Sequence, residues 1–412
     1  MRNSEVERCG IFSAEKGPPH LGRAFFDGKG GGPVLEVYIP VGNRQLRCGY
    51  TTGTCAAAAT AGAVRLLLTG ERLPAVRVRT PAGIEVEAEL LDHAAGPGWA
   101  CCGVRKDSGD DPDVTDGTLI CAKAERTDSP GVTIDGGTGV GRVTRPGLDQ
   151  SVGAAAINST PRRMILEQAE REAAQAGYTG GLTITISVPE GAALAERTFN
   201  PRLGIEGGIS ILGTSGIVRP MSEAALIDSL YLEQDMAKAA GVKDLLVTPG
   251  NYGDTFAQET LGLELKDRCT CSNYIGHAID HAVGLGFSSL LLVGHLGKLI
   301  KVAAGSMNTH SKVADGRRET LTVHAALAGG DRNLLRSLFD SPTTDAGVAL
   351  LQKAGLLELV MASIAQALEE QLRHRAGSME IGAVFFSNQY GVLGKTAAAD
   401  NLLARHGYRQ EI

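Results

Sequence analysis

Aromatic residues are scarce in this chain: phenylalanine, tryptophan and tyrosine make up 4% of it, with a single tryptophan. That scarcity argues against a nucleic-acid surface built from stacked rings. No apolar run approaches the roughly 18 residues of a membrane span, so no membrane role is expected. Residues 1–30 carry charges and glycines without a continuous apolar core, so no secretory leader is expected and the cytoplasm is the expected compartment. Eight cysteines are scattered over 412 residues, too sparse for a secreted disulfide scaffold. The formal net charge of −6 provides no general pull toward nucleic acid, so an anionic ligand would need a local basic cluster.

Glycine, in contrast, is abundant. The chain has 54, well above the usual share of about 7%, and without a collagen-like period. The excess belongs to turns and close backbone approaches. The clearest instance is Gly49-Tyr50-Thr51-Thr52-Gly53-Thr54-Cys55, followed at once by four alanines. A helix starting there points unpaired N–H groups at whatever lies in front, which suits an anion. Thr51, Thr52 and Thr54 can cap that helix or donate hydroxyls to a ligand. The small residues from Ala56 to Ala63 let another backbone or a large flat ligand come close.

Length predicts two domains of α/β class. Residues 1–45 read as a Gly/Pro-rich, mobile extension with an edge strand at Val34–Ile39. Residues 46–200 read as a mixed α+β domain. Its helices are expected near Thr54–Leu68 and Pro161–Ala176. A hairpin is expected around Pro81-Ala82-Gly83, and strands at Gly117–Arg126, Val132–Asp135 and Leu182–Val188. Residues 201–412 read as a Rossmann-like parallel sheet with crossover helices. Its strands are expected at Ile209–Leu212, Leu245–Thr248, Leu290–Val293 and Ala383–Ser387. Helices are expected at Ser222–Ala240 and Gly297–Ala304, with a bundle over 319–374. Ligands of open parallel sheets sit beyond the carboxyl ends of the strands. Four glycine-rich polar loops lie there: Gly213-Thr214-Ser215-Gly216, Pro249-Gly250-Asn251-Tyr252-Gly253, Gly294-His295-Leu296-Gly297-Lys298 and Ser387-Asn388-Gln389-Tyr390-Gly391.

Three further groups could carry chemistry. Asp107, Asp110, Asp111 and Asp113 fall within seven residues. They can serve acid–base work, ligand contact or the capping of a turn, and their spacing is not that of a calcium loop. Gly137, Gly139 and Gly141 miss the spacing and the strand-to-helix context of a dinucleotide fingerprint. Lys298, Lys301 and Lys312, with His295, His310, Arg317 and Arg318, add positive charge beside a strand-end loop, suited to ligand carboxylates. Cys269, Cys271, His277 and His281 lack a four-ligand zinc pattern, so no metal site is expected.

The motifs at 49–58, 106–115 and 137–141 resemble those of the cobalt-precorrin-5B C(1)-methyltransferases, the CbiD family. The likeness continues through Ala156-Ile157-Asn158, Pro161–Ile165, Asn200–Ile205 and Gly207–Gly216, then Gly250–Gly253, Cys271-Ser272-Asn273 and 294–318. It runs from about residue 46 to the C-terminus. The resemblance implies methyl transfer from S-adenosylmethionine to C-1 of the cobalt-precorrin-5B macrocycle in anaerobic cobalamin biosynthesis. Cobalt then enters only as part of the substrate. A homo-oligomer and hand-over to neighbouring enzymes of that pathway are expected. Relatives commonly carry Glu-Pro where this chain has Ala154-Ala155, so no carboxylate acts at that place.

On this reading the methyl donor meets Gly213, Thr214, Ser215, Gly216, Gly250, Asn251, Gly253, Gly294 and Gly297. The macrocycle lies between the domains and meets Thr51, Thr52, Thr54, Arg162, Lys298, Lys301, Lys312 and Arg317. Asp107, Asp110, Asp111 and His295 are the catalytic candidates. Two rivals remain: a nicotinamide-dependent reductase on the same sheet, and a non-catalytic tetrapyrrole carrier.

Overall fold

The structure, a computed structural model, describes residues 34–41 and 43–408. Residues 1–33 of the extension expected at 1–45 lie outside them. The chain divides into two compact units at Ser222/Glu223.

In the first unit the alanine-rich run forms α1 (Thr52–Thr69), which ends on Gly70 in the left-handed conformation, φ 76°. Behind it stands a five-stranded sheet of β1 (Leu91–Gly96), β2 (Trp99–Arg105), β3 (Leu119–Thr127), β4 (Val132–Gly136) and, after helix α2 (Ser159–Gln175), β5 (Gly181–Ser187). The strand order is β1-β2-β3-β5-β4, antiparallel except for the β5–β4 pair. Residues 56–59, 61 and 63 of α1 are all fully buried alanines. The alanine face therefore receives the protein's own sheet rather than a flat ligand. A Cβ on Gly62 would lie 2.6 Å from Leu90 and 2.7 Å from Cys102, and the Cys102 thiol donates to the Ala59 carbonyl at 3.1 Å.

Two expectations are corrected here. The edge strand falls at Tyr38–Val41 rather than Val34–Ile39, and pairs with Arg44–Arg47. Residues 201–222, assigned from sequence to the second domain, pair within the first unit. Ile205–Glu206 pairs with Arg142–Val143, Gly208–Ile209 with Gly139–Val140, and Ile217–Val218 with Gly49–Tyr50. Glycine makes these pairings possible: a Cβ on Gly208 would sit 2.2 Å from the Gly139 carbonyl oxygen.

The second unit begins with α3 (Glu223–Ala239) and carries β6 (Asp244–Thr248), α4 (Asn251–Thr255), β7 (Cys269–Thr270), α5 (Ile275–Gly284) and β8 (Ser289–His295). Helices α6 (Leu296–Ala303), α7 (Arg317–Leu327), α8 (Arg332–Phe339), α9 (Thr344–Lys353) and α10 (Leu357–Ala376) follow, then β9 (Glu380–Ser387), β10 (Gly391–Lys395) and α11 (Ala399–Arg405). The order β7-β6-β8-β9-β10 is parallel except for β10. Alternate residues feed opposite faces. Leu245, Val247, Leu290 and Leu292 pack with α5, α6 and α10, whereas Leu246, Leu291 and Val293 pack with Phe256, Leu402 and Leu403. Leu357, Met361, Ile364, Leu368 and Leu372 all join the first of these cores, as the helical stripe predicts. Counted within the unit, the strand order is 2-1-3-4-5. The direction of winding reverses between β6 and β8, where the loops after the two strands open a crevice.

Candidate functional site

A cavity of about 610 Å³ lies at that crevice. Its walls come from the loops after β6 (Pro249–Gly253), β7 (Asn273), β8 (His295, Gly297, Lys298) and β9 (Asn388), with Lys301, Thr309–Ser311, Arg317 and Thr343–Asp345. Of the sequence candidates, it brings together Gly250, Asn251, Gly253, His295, Gly297, Lys298, Lys301 and Arg317. Gly250 holds φ 132°, and a Cβ on Gly253 would approach the Val293 carbonyl oxygen to 2.9 Å. Bare backbone is required at both positions. Gly294 does not line the cavity. A Cβ there would meet Pro249 Cγ at 3.1 Å, so this glycine serves close packing.

Lys298 ties the strand ends together. Its Nζ donates to the carbonyls of Pro249 at 2.9 Å and Ser272 at 3.0 Å, joining the loops after β6 and β7 to the start of α6. Lys301, nearly buried, donates to the Thr309 and Ala314 carbonyls at 3.1 and 3.2 Å. Burial lowers both ammonium groups below the ordinary lysine value. Arg317 grips Asp315 through two bonds of 2.5 and 2.8 Å, which holds that carboxyl at about 2. Each of the three cations thus shapes a loop as well as charging the wall. Lys312 does not line the cavity, which removes the geometric ground for its assignment to ligand carboxylates.

His295 caps α6: its Nδ1 accepts the Gly297 N–H at 3.1 Å. Burial lowers its pKa, opposed in part by Asp345. The neutral ring therefore carries its proton on Nε2, since Nδ1 is the acceptor. The neighbouring Asp345 was not anticipated from sequence. It is a single aspartate in the first turn of α9, with no motif around it. Its Oδ1 is buried without a hydrogen-bond partner.

The remaining candidates lie in the first unit, and the chain's own groups engage most of them. Thr51 Oγ1 accepts the Thr54 N–H, Leu212 O accepts the Gly53 N–H, and Thr54 Oγ1 donates to Gly216 O at 2.7 Å. Thr52 Oγ1 accepts the Leu212 N–H at 2.9 Å. The helix N-terminus expected to hold an anion is filled by 212–216. Gly213, Thr214, Ser215 and Gly216 are consequently not at a strand end of the parallel sheet, which corrects the placement expected of them from sequence. Arg162 spends Nε and Nη1 on the carbonyls of Ile157 and Ile134, both at 3.0 Å.

The acidic loop is equally engaged. Asp107 forms a bidentate pair with Arg47 at 2.6 and 2.7 Å. Burial pushes its carboxyl up, but Arg47, the Gly109 N–H and Lys106 outweigh that and leave it below the usual carboxylate range. Asp110 accepts the Arg47 N–H, Asp111 the Met221 N–H, and Asp113 pairs with the buried Lys106 at 2.7 Å. These are capping and bracing contacts, the turn-capping role that the sequence left open for Asp107, Asp110 and Asp111. Among the described residues no group of three or more His, Cys, Asp or Glu is placed to hold a metal. Cys271 is buried, which raises its thiol to about 12, while His281 bonds Asp235 at 2.9 Å and His277 bonds Tyr231 at 2.8 Å. No described helix is long and apolar enough to cross a membrane.

The family model described as CbiD matches residues 39–220, and the one described as the CbiD C-terminal domain matches 308–397. A Ruminiclostridium cellulolyticum protein named cobalt-precorrin-5B C(1)-methyltransferase is 45% identical over 86% of this chain and 92% of its own length. Proteins of the same name from Thermoanaerobacter sp. (strain X514) and Alkaliphilus metalliredigens are 47% and 44% identical, over 78% and 90% of this chain and 87% and 97% of theirs. A crystal structure titled as the cobalamin biosynthesis protein cbiD of Archaeoglobus fulgidus is 31% identical, covering 68% of this chain and 87% of its own, with a TM-score of 0.37. Identity at this level, sustained over most of both partners' length, means that the chain belongs to the CbiD family.

Proposed function

We propose that this protein transfers a methyl group from S-adenosylmethionine to C-1 of cobalt-precorrin-5B in cobalamin biosynthesis, and that its second unit is a Rossmann-like domain holding the methyl donor in the 610 Å³ cavity. The chemical assignment follows relatives of that name at 44–47% identity. The observation that carries the location is the cavity at the β6/β8 reversal, where open α/β sheets bind ligands.

The residues present fit such a group. The volume falls in the range of roughly 300–1,000 Å³ typical of small-molecule pockets. Gly250 and Gly297 leave backbone bare on two sides, and Asn251, Asn273, Thr343 and Asn388 offer neutral donors and acceptors. Lys298 is held by carbonyls rather than a carboxylate, so its charge remains available to an anionic group of a ligand. When bound, S-adenosylmethionine supplies an electrophilic methyl group on a sulfonium.

The protein's task is then alignment and the exclusion of water, and positioning of this kind contributes on the order of 7–11 kcal/mol. Lys298 fixes the two strand-end loops, Lys301 fixes residues 309–314 above the start of α7, and His295 presents an Nε2–H donor at the cavity wall. The same wall carries the positive charge that a polycarboxylated macrocycle calls for. Purified protein incubated without oxygen with cobalt-precorrin-5B and labelled S-adenosylmethionine should place label on the macrocycle and release S-adenosylhomocysteine. Macrocycle binding without label transfer would favour a carrier, and transfer of hydride from a nicotinamide would favour a reductase.

A further inference from the structure

Asp345 is the one acidic side chain among the residues lining the cavity. Its Oδ1 is shut off from water and has no hydrogen-bond partner. A buried acceptor in that state costs free energy unless something supplies a donor. The cations of the same wall do not donate to that oxygen: Lys298 donates to Pro249 and Ser272, Lys301 to Thr309 and Ala314, and Arg317 to Asp315. His295, the neighbouring ring, has its Nδ1 filled by the Gly297 N–H.

The carboxylate thus stands in the cavity wall with an acceptor that no described side chain satisfies. Lys298, Lys301 and Arg317 already line the cavity, and a pair of neutral hydroxyls supplies donors to the carboxylate without adding charge. A carboxylate accepts two parallel hydroxyl donors well. We propose that Asp345 is the ribose subsite of the cavity and accepts the vicinal hydroxyls of a nucleoside ligand. This inference rests on the reading of the cavity as the methyl-donor site.

The test is calorimetric and needs no turnover. S-Adenosylhomocysteine and its 2′-deoxyribose counterpart are titrated into the full-length protein and into Asp345→Ala. The wild type should prefer the ribose ligand by about ten- to hundredfold, as charge-assisted hydrogen bonds do. Asp345→Ala should lose that preference by weakening the ribose ligand alone. Asp345→Asn, which keeps the shape of the first turn of α9, serves if the alanine variant does not fold, and should show a reduced preference. A preference that survives in a folded variant, or equal binding of both ligands by the wild type, overturns the ribose subsite and leaves the cavity assignment standing. Failure of the wild type to bind either ligand overturns the cavity assignment and the subsite with it.

Discussion

Two glycine-bearing polar loop systems in this molecule have opposite fates. In the first unit, Gly49–Thr54, Asp107–Asp113 and Gly213–Gly216 close on one another. Tyr50 N–H bonds the Asp107 carbonyl at 2.8 Å, Thr51 N–H bonds the Gly216 carbonyl at 3.1 Å, and Arg47 pairs with Asp107. In the second unit, Gly250–Gly253 and His295–Lys298 stand apart around a cavity, and Asp345 Oδ1 is left without a partner. Glycine reports that something approaches the backbone closely. Whether the visitor is the protein or a ligand is decided by which polar groups remain unspent.

The comparison can be broken most forcefully at Gly49. A Cβ there would lie 2.3 Å from the Asp107 carbonyl oxygen and from the Ser108 carbonyl carbon. Backbone cannot yield as a side-chain tip can, so Gly49→Ala should cost at least about 3 kcal/mol in urea unfolding. Whatever folded protein remains should still bind S-adenosylhomocysteine. Next in size is Lys298→Met, which removes the tie between the Pro249 and Ser272 loops. Calorimetry should show S-adenosylhomocysteine bound about tenfold or more weakly, and unchanged affinity would separate that lysine from the site.

Thr51→Ala sharpens the contrast from the other side. Loss of this N-cap should cost about 1 kcal/mol of stability and leave ligand affinity untouched, because the cap serves only α1. The smallest effect concerns pH. Burial lowers the His295 pKa, so the unfolded chain takes up that proton first as pH falls below about 6.5. Stability is full above that value and declines toward the folded pKa. His295→Asn keeps an N-cap acceptor for Gly297 and should make the decline shallower, leaving the part due to His324 and His406, whose pKa values burial also lowers.

Much of this architecture is legible in the sequence. Gly70 closes α1 where expected, Pro81-Ala82-Gly83 joins paired strands, and the apolar runs of the second unit become β6, β8 and β9. What escaped had no local signature. Strand β2 is buried on both faces from Ala100 to Val104, so its Cys/Gly/Ala sequence lacks the alternation that betrays a strand. Residues 201–222 look like the start of the parallel sheet because Ile209 and Ile211 are apolar, yet their partners lie near Val140 and Ile157, more than fifty residues earlier. The acidic loop reads as a reactive cluster until Arg47, sixty residues away in sequence, is found against Asp107. Asp345 is the converse case. Nothing near it in sequence marks it, and only burial without a partner does.

The central claim is that the methyl donor belongs to the second unit's cavity. A crystal structure of the protein with S-adenosylhomocysteine tests it directly. Ligand density is expected among Gly250–Gly253, His295–Lys298 and Asp345. Density seated instead against Thr51–Thr54 and Gly213–Gly216, with the cavity of the second unit empty, would contradict it.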